Sequence, residues 1–377
     1  MVLLDYLKWR NDVSLKISPF NDIDNVILSC LAYIDFGEFF ANSDESYTLE
    51  EIFELFCKNH SLDEIRESKQ FTERVALLLE EMVQADRFKG TKVLYYAEDI
   101  DKEKVKQFAA VTFILPDGTN YVSFRGTDST ITGWKEDFLM AFMADTEGAK
   151  EAVKYLNEVS KLLEGELIVG GHSKGGNFAM FASAFCDKVV QDRISRVYNN
   201  DGPGFRDEVI DSREYQEILP KIRTIVPQTS IIGQLLANES EQKVIESNAI
   251  GLYQHDAMTW KVTKDCFVES ELDAFGNFVD ISLGSWLEKI DDETRLSIVS
   301  TVFSMIEETE AETFYEFSDS LFKNTGIIIK GLVKLPKEKR TELMTALSSL
   351  VKVSSRTVLN RIPKPAEEIG IEKKNNL

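Results

Sequence analysis

Apolar positions recur at helical spacing through residues 1–90. In "NDIDNVILSCLAYIDF" (21–36) Asn and Asp precede an apolar stripe, and "TERVALLLEEMVQADRF" (72–88) repeats the stripe with strong helix formers. At about residue 92 the period changes. "VKQFAAVTFIL" (105–115), the tripeptide "PDG" and "TNYVSFRGT" (119–127) read as two strands joined by a turn, a hairpin signature. Strands and helices then alternate. "ELIVGG" (166–171) predicts a buried strand, "GNFAMFASAFCDKVV" (176–190) a helix, "ISRVYNN" (194–200) a strand, "REYQEILPKI" (213–222) a helix and "IRTIVP" (222–227) a strand. Such alternation implies βαβ units around a mainly parallel sheet flanked by helices, an α/β fold. "QKVIESN" (242–248) adds a further β-like run before the irregular "IGLYQHDAMTWKV" (250–262).

Beyond about residue 276 the pattern is helical again, in "SWLEKIDDETRLSIVSTVFSMIEE", "TFYEFSDSLFKNTGIIIKGLVKL" and "EKRTELMTALSSLVKVSSRTVLN". The expected organisation is therefore an N-terminal helical segment (1–90), an α/β core (91–275), a C-terminal helical segment (276–362) and a polar tail (363–377) expected to be disordered. No internal repeat is visible.

Composition narrows the partners. A formal net charge of −21 repels nucleic acid and anionic membrane surfaces at long range. No uncharged apolar run approaches membrane-spanning length, and Asp5 interrupts the apolar opening where a signal peptide would need continuity. Stable membrane insertion is not expected. The four cysteines, Cys30, Cys57, Cys186 and Cys266, show neither pairing nor metal spacing and read as reduced core thiols. The expectation is a soluble cytoplasmic protein; its oligomeric state is not legible.

The chemistry concentrates at "GGHSKGGN". Gly171-His172-Ser173-Lys174-Gly175 fits G-x-S-x-G, with an apolar strand before it and an amphipathic helix after it. A serine at such a strand-to-helix turn needs neighbours without side chains two residues either way, here Gly171 and Gly175, because the backbone turns too tightly for a Cβ. The helix that follows offers N-terminal amides to an oxyanion. A nucleophilic serine also needs a base, and only three histidines are present. His60 lies in the N-terminal helical segment and His172 adjoins the serine, off to its side. His255 alone follows the sheet strands, in the chain order Ser, acid, His of α/β-hydrolases. For the acid, Asp201 ends the strand "RVYNN" and opens "DGPGF", which is also plain turn chemistry. Glu239 and Glu241 are its nearest rivals beyond "IRTIVP". Asp256 adjoins His255 too closely to orient it.

Together "YVSFRGTDSTITGWKEDF", "GGHSKGGN" and the late "QH" resemble α/β-hydrolases of the lipase class 3 group. "LDYLKWRNDVSL", "YNNDGPGF" and "IVPQTSIIGQLL" are more similar to a bacterial branch of that group. The hydrolase resemblance spans roughly residues 90–265. It implies Ser173 as nucleophile, His255 as base, and an oxyanion hole formed by the backbone N–H groups of Thr127, at the end of "FRGT", and of Lys174. The pattern departs twice. Class 3 lipases carry their acid after the strand matching "IRTIVP", where this chain has Gln228, Thr229 and Ser230; "YNNDGPGF" instead looks like the acid-bearing strand end of the pancreatic lipase group, which points to Asp201. And "DSTITGWKEDF" is short and polar where a lipase carries an apolar lid. The expected activity is hydrolysis of carboxylic esters or thioesters of small-molecule or lipid-like substrates, with no metal or organic cofactor. The alternative is a catalytically weak hydrolase-fold protein that binds ligands or works through its C-terminal helices.

Overall fold

The structure is a computed structural model that describes residues 1–40, 46–101, 106–127, 146–273 and 292–309, with isolated positions between 327 and 345. Among the described residues, eight strands form one sheet in sequential order: β1 (Ser46–Thr48), β2 (Lys92–Asp101), β3 (Lys106–Ile114), β4 (Asn120–Phe124), β5 (Leu167–His172), β6 (Ile194–Asn200), β7 (Ile222–Pro227) and β8 (Glu241–Ile245). The pairings from β1 to β4 are antiparallel and those from β4 to β8 parallel. This is the mainly parallel sheet that the strand–helix alternation predicts, with helices on both faces.

Side-chain alternation explains why both faces are covered. Along β3 to β7, Val111, Phe113, Tyr121, Tyr198 and Ile225 enter one core, while Phe108, Val122, Phe124, Val169 and Val197 enter the other. Successive residues of a strand point to opposite faces, so buried strands must be apolar on both. The first core is closed by α1 (Leu3–Trp9), α2 (Asp22–Leu31), α3 (Leu49–Asn59), α4 (Leu62–Glu67), α5 (Phe71–Arg74) and α6 (Ala76–Met82), chiefly through α1, α2, α3 and α6. The second is closed by α7 (Glu147–Val159), α8 (Lys174–Phe185), α9 (Lys188–Gln191), α10 (Asp207–Ile210) and α11 (Arg213–Ile218). The helices of residues 1–90 thus form the cover of one sheet face and share its core. The last of these helices ends at Met82, and β2 begins at Lys92. Each fully buried Leu, Ile or Phe in these cores contributes roughly 1.5–3 kcal/mol.

Several elements depart from the pattern reading. β1 lies within the otherwise helical opening and pairs with β2. β2 escapes a period-2 reading because its register shifts between Leu94 and Ala97, where Tyr95 has φ 52°, so alternation breaks inside the strand. The helix expected over 176–190 begins at Lys174 and stops at Phe185, because Cys186 turns extended, with ψ 170°. The helix expected over 213–222 ends at Ile218 and tightens into a 3-10 turn at Leu219–Lys221. Cys30 and Cys186 are core thiols, but Cys57 and Cys266 are exposed. Of the C-terminal segment, α12 (Asp292–Glu307) is described and helical. The polar stretch 128–133, the tail 363–377 and most of the two later helical stretches lie outside the described residues.

One buried ion pair fixes the N-terminal cover. Asp24, in the first turn of α2, is fully buried and receives Arg87 Nε at 2.7 Å and Arg87 Nη2 at 2.5 Å, with Tyr6 Oη at 3.1 Å and Asn21 N at 2.9 Å. The remaining Arg87 donors hold the carbonyls of Ser18 and Pro19 at 2.8 and 3.1 Å. Burial pushes the Asp24 carboxyl above its ordinary range, and the hydrogen bonds and charge of Arg87 pull it back. Removing one partner strands the other without water. Arg87→Met is expected to cost about 3–5 kcal/mol of unfolding free energy in urea titration. The double variant Asp24→Asn/Arg87→Met is expected to lose less than the sum of the two single variants; additive losses would show that the two groups act independently.

Candidate active site

The parallel register brings three strand ends to one edge. Phe124 pairs with Gly171, His172 with Asn200, and Asn200 with Ile225, so the segments leaving β4, β5 and β6 start side by side. They carry Thr127, Ser173 and Asp201. In α/β sheets this carboxyl edge is where sites form.

Ser173 occupies a strained turn, with φ 59° and ψ −133°, between β5 and α8. The crowding is visible at its two glycines. A Cβ on Gly171 would lie 2.3 Å from the Gly175 carbonyl carbon, and one on Gly175 would lie 2.1 Å from the Phe124 carbonyl oxygen. Either would be a backbone collision. Lys174 is the first residue of α8, and both it and Thr127 are buried beside the turn. The Lys174 side chain is fully buried, with Nζ 5.7 Å from the centre of the Phe178 ring.

Asp201 follows β6 and is itself at φ 52°. Asn199 brackets that conformation: its Oδ1 accepts from Gly202 N at 2.9 Å and its Nδ2 donates to Gly202 O at 3.0 Å. Asp201 N donates to Ile225 O at 2.8 Å. The carboxylate, fully buried, then divides its oxygens: Oδ1 accepts from Ser230 Oγ at 2.5 Å, and Oδ2 faces His255 Nδ1 at 2.7 Å. His255 Nε2 is 2.8 Å from Ser173 Oγ. Because a carboxylate only accepts, Nδ1 carries the ring proton and Nε2 accepts from the serine hydroxyl. Ser173, His255 and Asp201 therefore stand in one hydrogen-bonded series.

His255 reaches this position from a short excursion. Ser247 bridges Trp260, closing the segment between them, and His255 ends a 3-10 turn at Gly251–His255 within it. Gln254 anchors that turn: its Oε1 accepts from Thr229 N at 2.9 Å, its Nε2 donates to Thr229 Oγ1 at 3.0 Å, and its carbonyl accepts from Trp260 Nε1 at 2.8 Å.

The other candidates are engaged elsewhere. Asp256 faces Arg74 at 3.2 Å and accepts from Met258 N at 2.9 Å; burial pushes its carboxyl up, against the pull of Arg74. Glu239 accepts from Gln216, and His60 pairs with Glu38 at 2.8 Å while stacking on Phe56. His172 is buried: its Nε2 is 2.8 Å from His255 O and its Nδ1 2.9 Å from Tyr33 Oη. Burial, and then the charge of nearby His255, hold it well below the ordinary histidine value. Sequence reasoning did not foresee Ser230, Asn199, Gln254 or Tyr33 at the site. Ser230 had a signal, since it occupies the place where the resembled group keeps its acid. Tyr33 had none, because it continues an apolar helical stripe.

The chain matches the family model described as Mbeg1-like over residues 82–304, more than half its length, and belongs to that family. Comparison with curated proteins finds no match. Among solved structures, the crystal structure of M37 lipase is similar at 12% identity and a TM-score of 0.37, over 58% of this chain and 70% of that one.

The buried, neutral His172 has a consequence for stability. The unfolded chain takes up a proton near the ordinary value of 6.5, and the folded protein resists it to a much lower pH. The group's contribution is thus complete above about pH 6.5 and is lost as pH falls below it, at about 1.4 kcal/mol per pH unit. His172→Gln is expected to flatten the fall of stability between about pH 6.5 and 5, measured by urea unfolding at each pH. Parallel curves for the two proteins would mean that His172 titrates freely in the fold.

Proposed function

We propose that this member of the Mbeg1-like family is a serine hydrolase cleaving carboxylic ester or thioester bonds. The observation that carries the reading is the unbroken series from Asp201 Oδ2 to His255 Nδ1 (2.7 Å) and from His255 Nε2 to Ser173 Oγ (2.8 Å). Membership of a bacterial branch of the lipase class 3 group is part of the same proposal.

Ser173 Oγ attacks the carbonyl carbon as His255 Nε2 takes its proton, giving a tetrahedral oxyanion and an imidazolium. The backbone N–H groups of Lys174 and Thr127 stabilise that oxyanion. The C–O or C–S bond breaks, His255 returns the proton to the departing alcohol or thiol, and the acyl group stays on Ser173. Water, deprotonated by the same Nε2, attacks the acyl carbon; the acid leaves and Ser173 regains its proton. Asp201 remains ionised throughout, holding the ring in its Nδ1–H tautomer and stabilising the imidazolium. Ser230, donating to the other carboxylate oxygen, orients it. The acid thus stands one strand earlier than in the resembled group, and a hydroxyl takes the later position. No step calls on a metal or organic cofactor.

Small or amphiphilic esters of short to medium acyl chain are the proposed substrates. The strongly acidic chain is repelled by anionic interfaces, and the segment where a lipase has its apolar lid is polar in sequence. No helix among the described residues is long and apolar enough to cross a membrane. A cytoplasmic setting is part of the same proposal.

A fluorophosphonate is expected to label Ser173, located by peptide mass spectrometry, with labelling lost in Ser173→Ala and in His255→Ala. An adduct on another serine would overturn the assignment. Asp201→Asn is expected to retain the fold and lose about 10⁴-fold in kcat; Glu239→Gln and Glu241→Gln are expected to match wild type, and a large loss in either would move the acid to the later strand. On p-nitrophenyl esters of increasing length, rates are expected to favour dissolved short and medium chains without a jump at the micellar threshold. Best activity on emulsified long-chain triglyceride would contradict the substrate class.

A further inference from the structure

His172 plays no part in the proposed steps, yet it is 1% exposed and lies against the turn that bears His255. Its ring centroid is 4.7 Å from that of His255, with the planes tilted by 35°. Phe71, Tyr33 and Trp260 stand around it at 5.2, 5.9 and 6.1 Å. Within this cage the ring's bonding has one consistent assignment. Nε2 faces the His255 carbonyl, which only accepts, so Nε2 carries the proton. The neutral ring then presents a lone pair at Nδ1, and the Tyr33 hydroxyl donates to it.

We infer that His172, its ring held at Nδ1 by Tyr33, is a positioning residue for the proposed hydrolysis: it grips the main chain of His255 and so sets the reach of the imidazole toward Ser173. The inference rests on the reading of Ser173, His255 and Asp201 as the reacting groups. Asp201 and Ser173 restrain only the ring of His255, while Thr229 and Trp260 restrain the residue before it. The bond from His172 acts on the His255 backbone itself. A displacement of about 1 Å at a reacting group costs up to about 10²-fold in rate. Neutrality matters as well. A proton on His172 would set a second positive charge against the imidazolium formed when Ser173 attacks.

Inactivation by a fluorophosphonate, resolved into its maximal rate and its half-saturating concentration, tests this in wild type, His172→Leu, His172→Gln and Tyr33→Phe. His172→Leu fills the space without a donor, and its maximal rate is expected to fall about 10- to 100-fold with half-saturation unchanged. His172→Gln can place an amide N–H on the same carbonyl and is expected to recover to within about fivefold of wild type. Tyr33→Phe removes the bond that holds the ring at Nδ1 and is expected to fall between the two. Equal maximal rates in the Leu and Gln variants would overturn the role, and so would a wild-type rate in Tyr33→Phe, which decides the matter if His172→Leu does not fold. Failure of wild type to form an adduct at Ser173 would instead overturn the hydrolase reading, and the positioning role with it.

Discussion

Between Gly171 and Gly175 the main chain passes so close to itself, and to the carbonyl of Phe124, that no side-chain carbon fits. That contact forces the turn, and the turn forces Ser173 into a backbone conformation that residues other than glycine rarely adopt. Such a residue costs on the order of 1–3 kcal/mol and survives only where its surroundings over-determine it. Here the surroundings are β4 and β6, paired on either side of β5, and α8, buried against the second core. The strain holds the hydroxyl at the sheet edge, within reach of a histidine from a segment eighty residues later in the chain. Asp201 repeats the device on the neighbouring strand, with Asn199 closing the turn.

The N-terminal helices are tied into the same edge by polar groups that have no access to water. Asn25 and Ser29 of α2 bond to Asn200, and Asn200 Nδ2 donates to the Gly171 carbonyl at 3.0 Å, just ahead of the turn at Ser173. Tyr121 Oη completes the network by donating to Asn25 Oδ1 at 2.7 Å. Buried polar groups tolerate few alternative arrangements, because a broken bond has no water to replace it. This network therefore specifies how α2 lies across β4, β5 and β6. Tyr33, just past the end of α2, and Arg74, in α5, then touch the two histidine-bearing segments through His172 and Asp256. A cover that reads in sequence as a separate helical opening contributes to the geometry of the site.

The parts legible in sequence share a physical character. Strand alternation, the glycine-flanked serine and the scarcity of histidines are local or countable. Apolar period and steric exclusion act within a few residues, so the chain declares them directly. β5, β6, β7, α8 and the turn at Ser173 follow from that. Two of the elements that sequence reasoning missed lack a clear local pattern: β2 is interrupted by a bulge at Tyr95, and β1 pairs only because β2 is beside it. The third, α7, does carry a helical stripe in Ala149, Ala152, Tyr155, Leu156 and Val159.

Tertiary structure alone decided which polar residues meet. The Asp-Gly-Pro stretch is compatible with an ordinary turn, and only the register of β6 against β5 and β7 brings Asp201 to His255. Ser230 faces that carboxylate because β7 ends beside β6, and Tyr33 faces His172 because α2 crosses the sheet. Hydrogen bonds between residues far apart in the chain leave no periodicity behind, since their partners are chosen by packing. The sequence by itself determined where a nucleophile could sit; the assembled sheet and its helical cover determined which groups surround it.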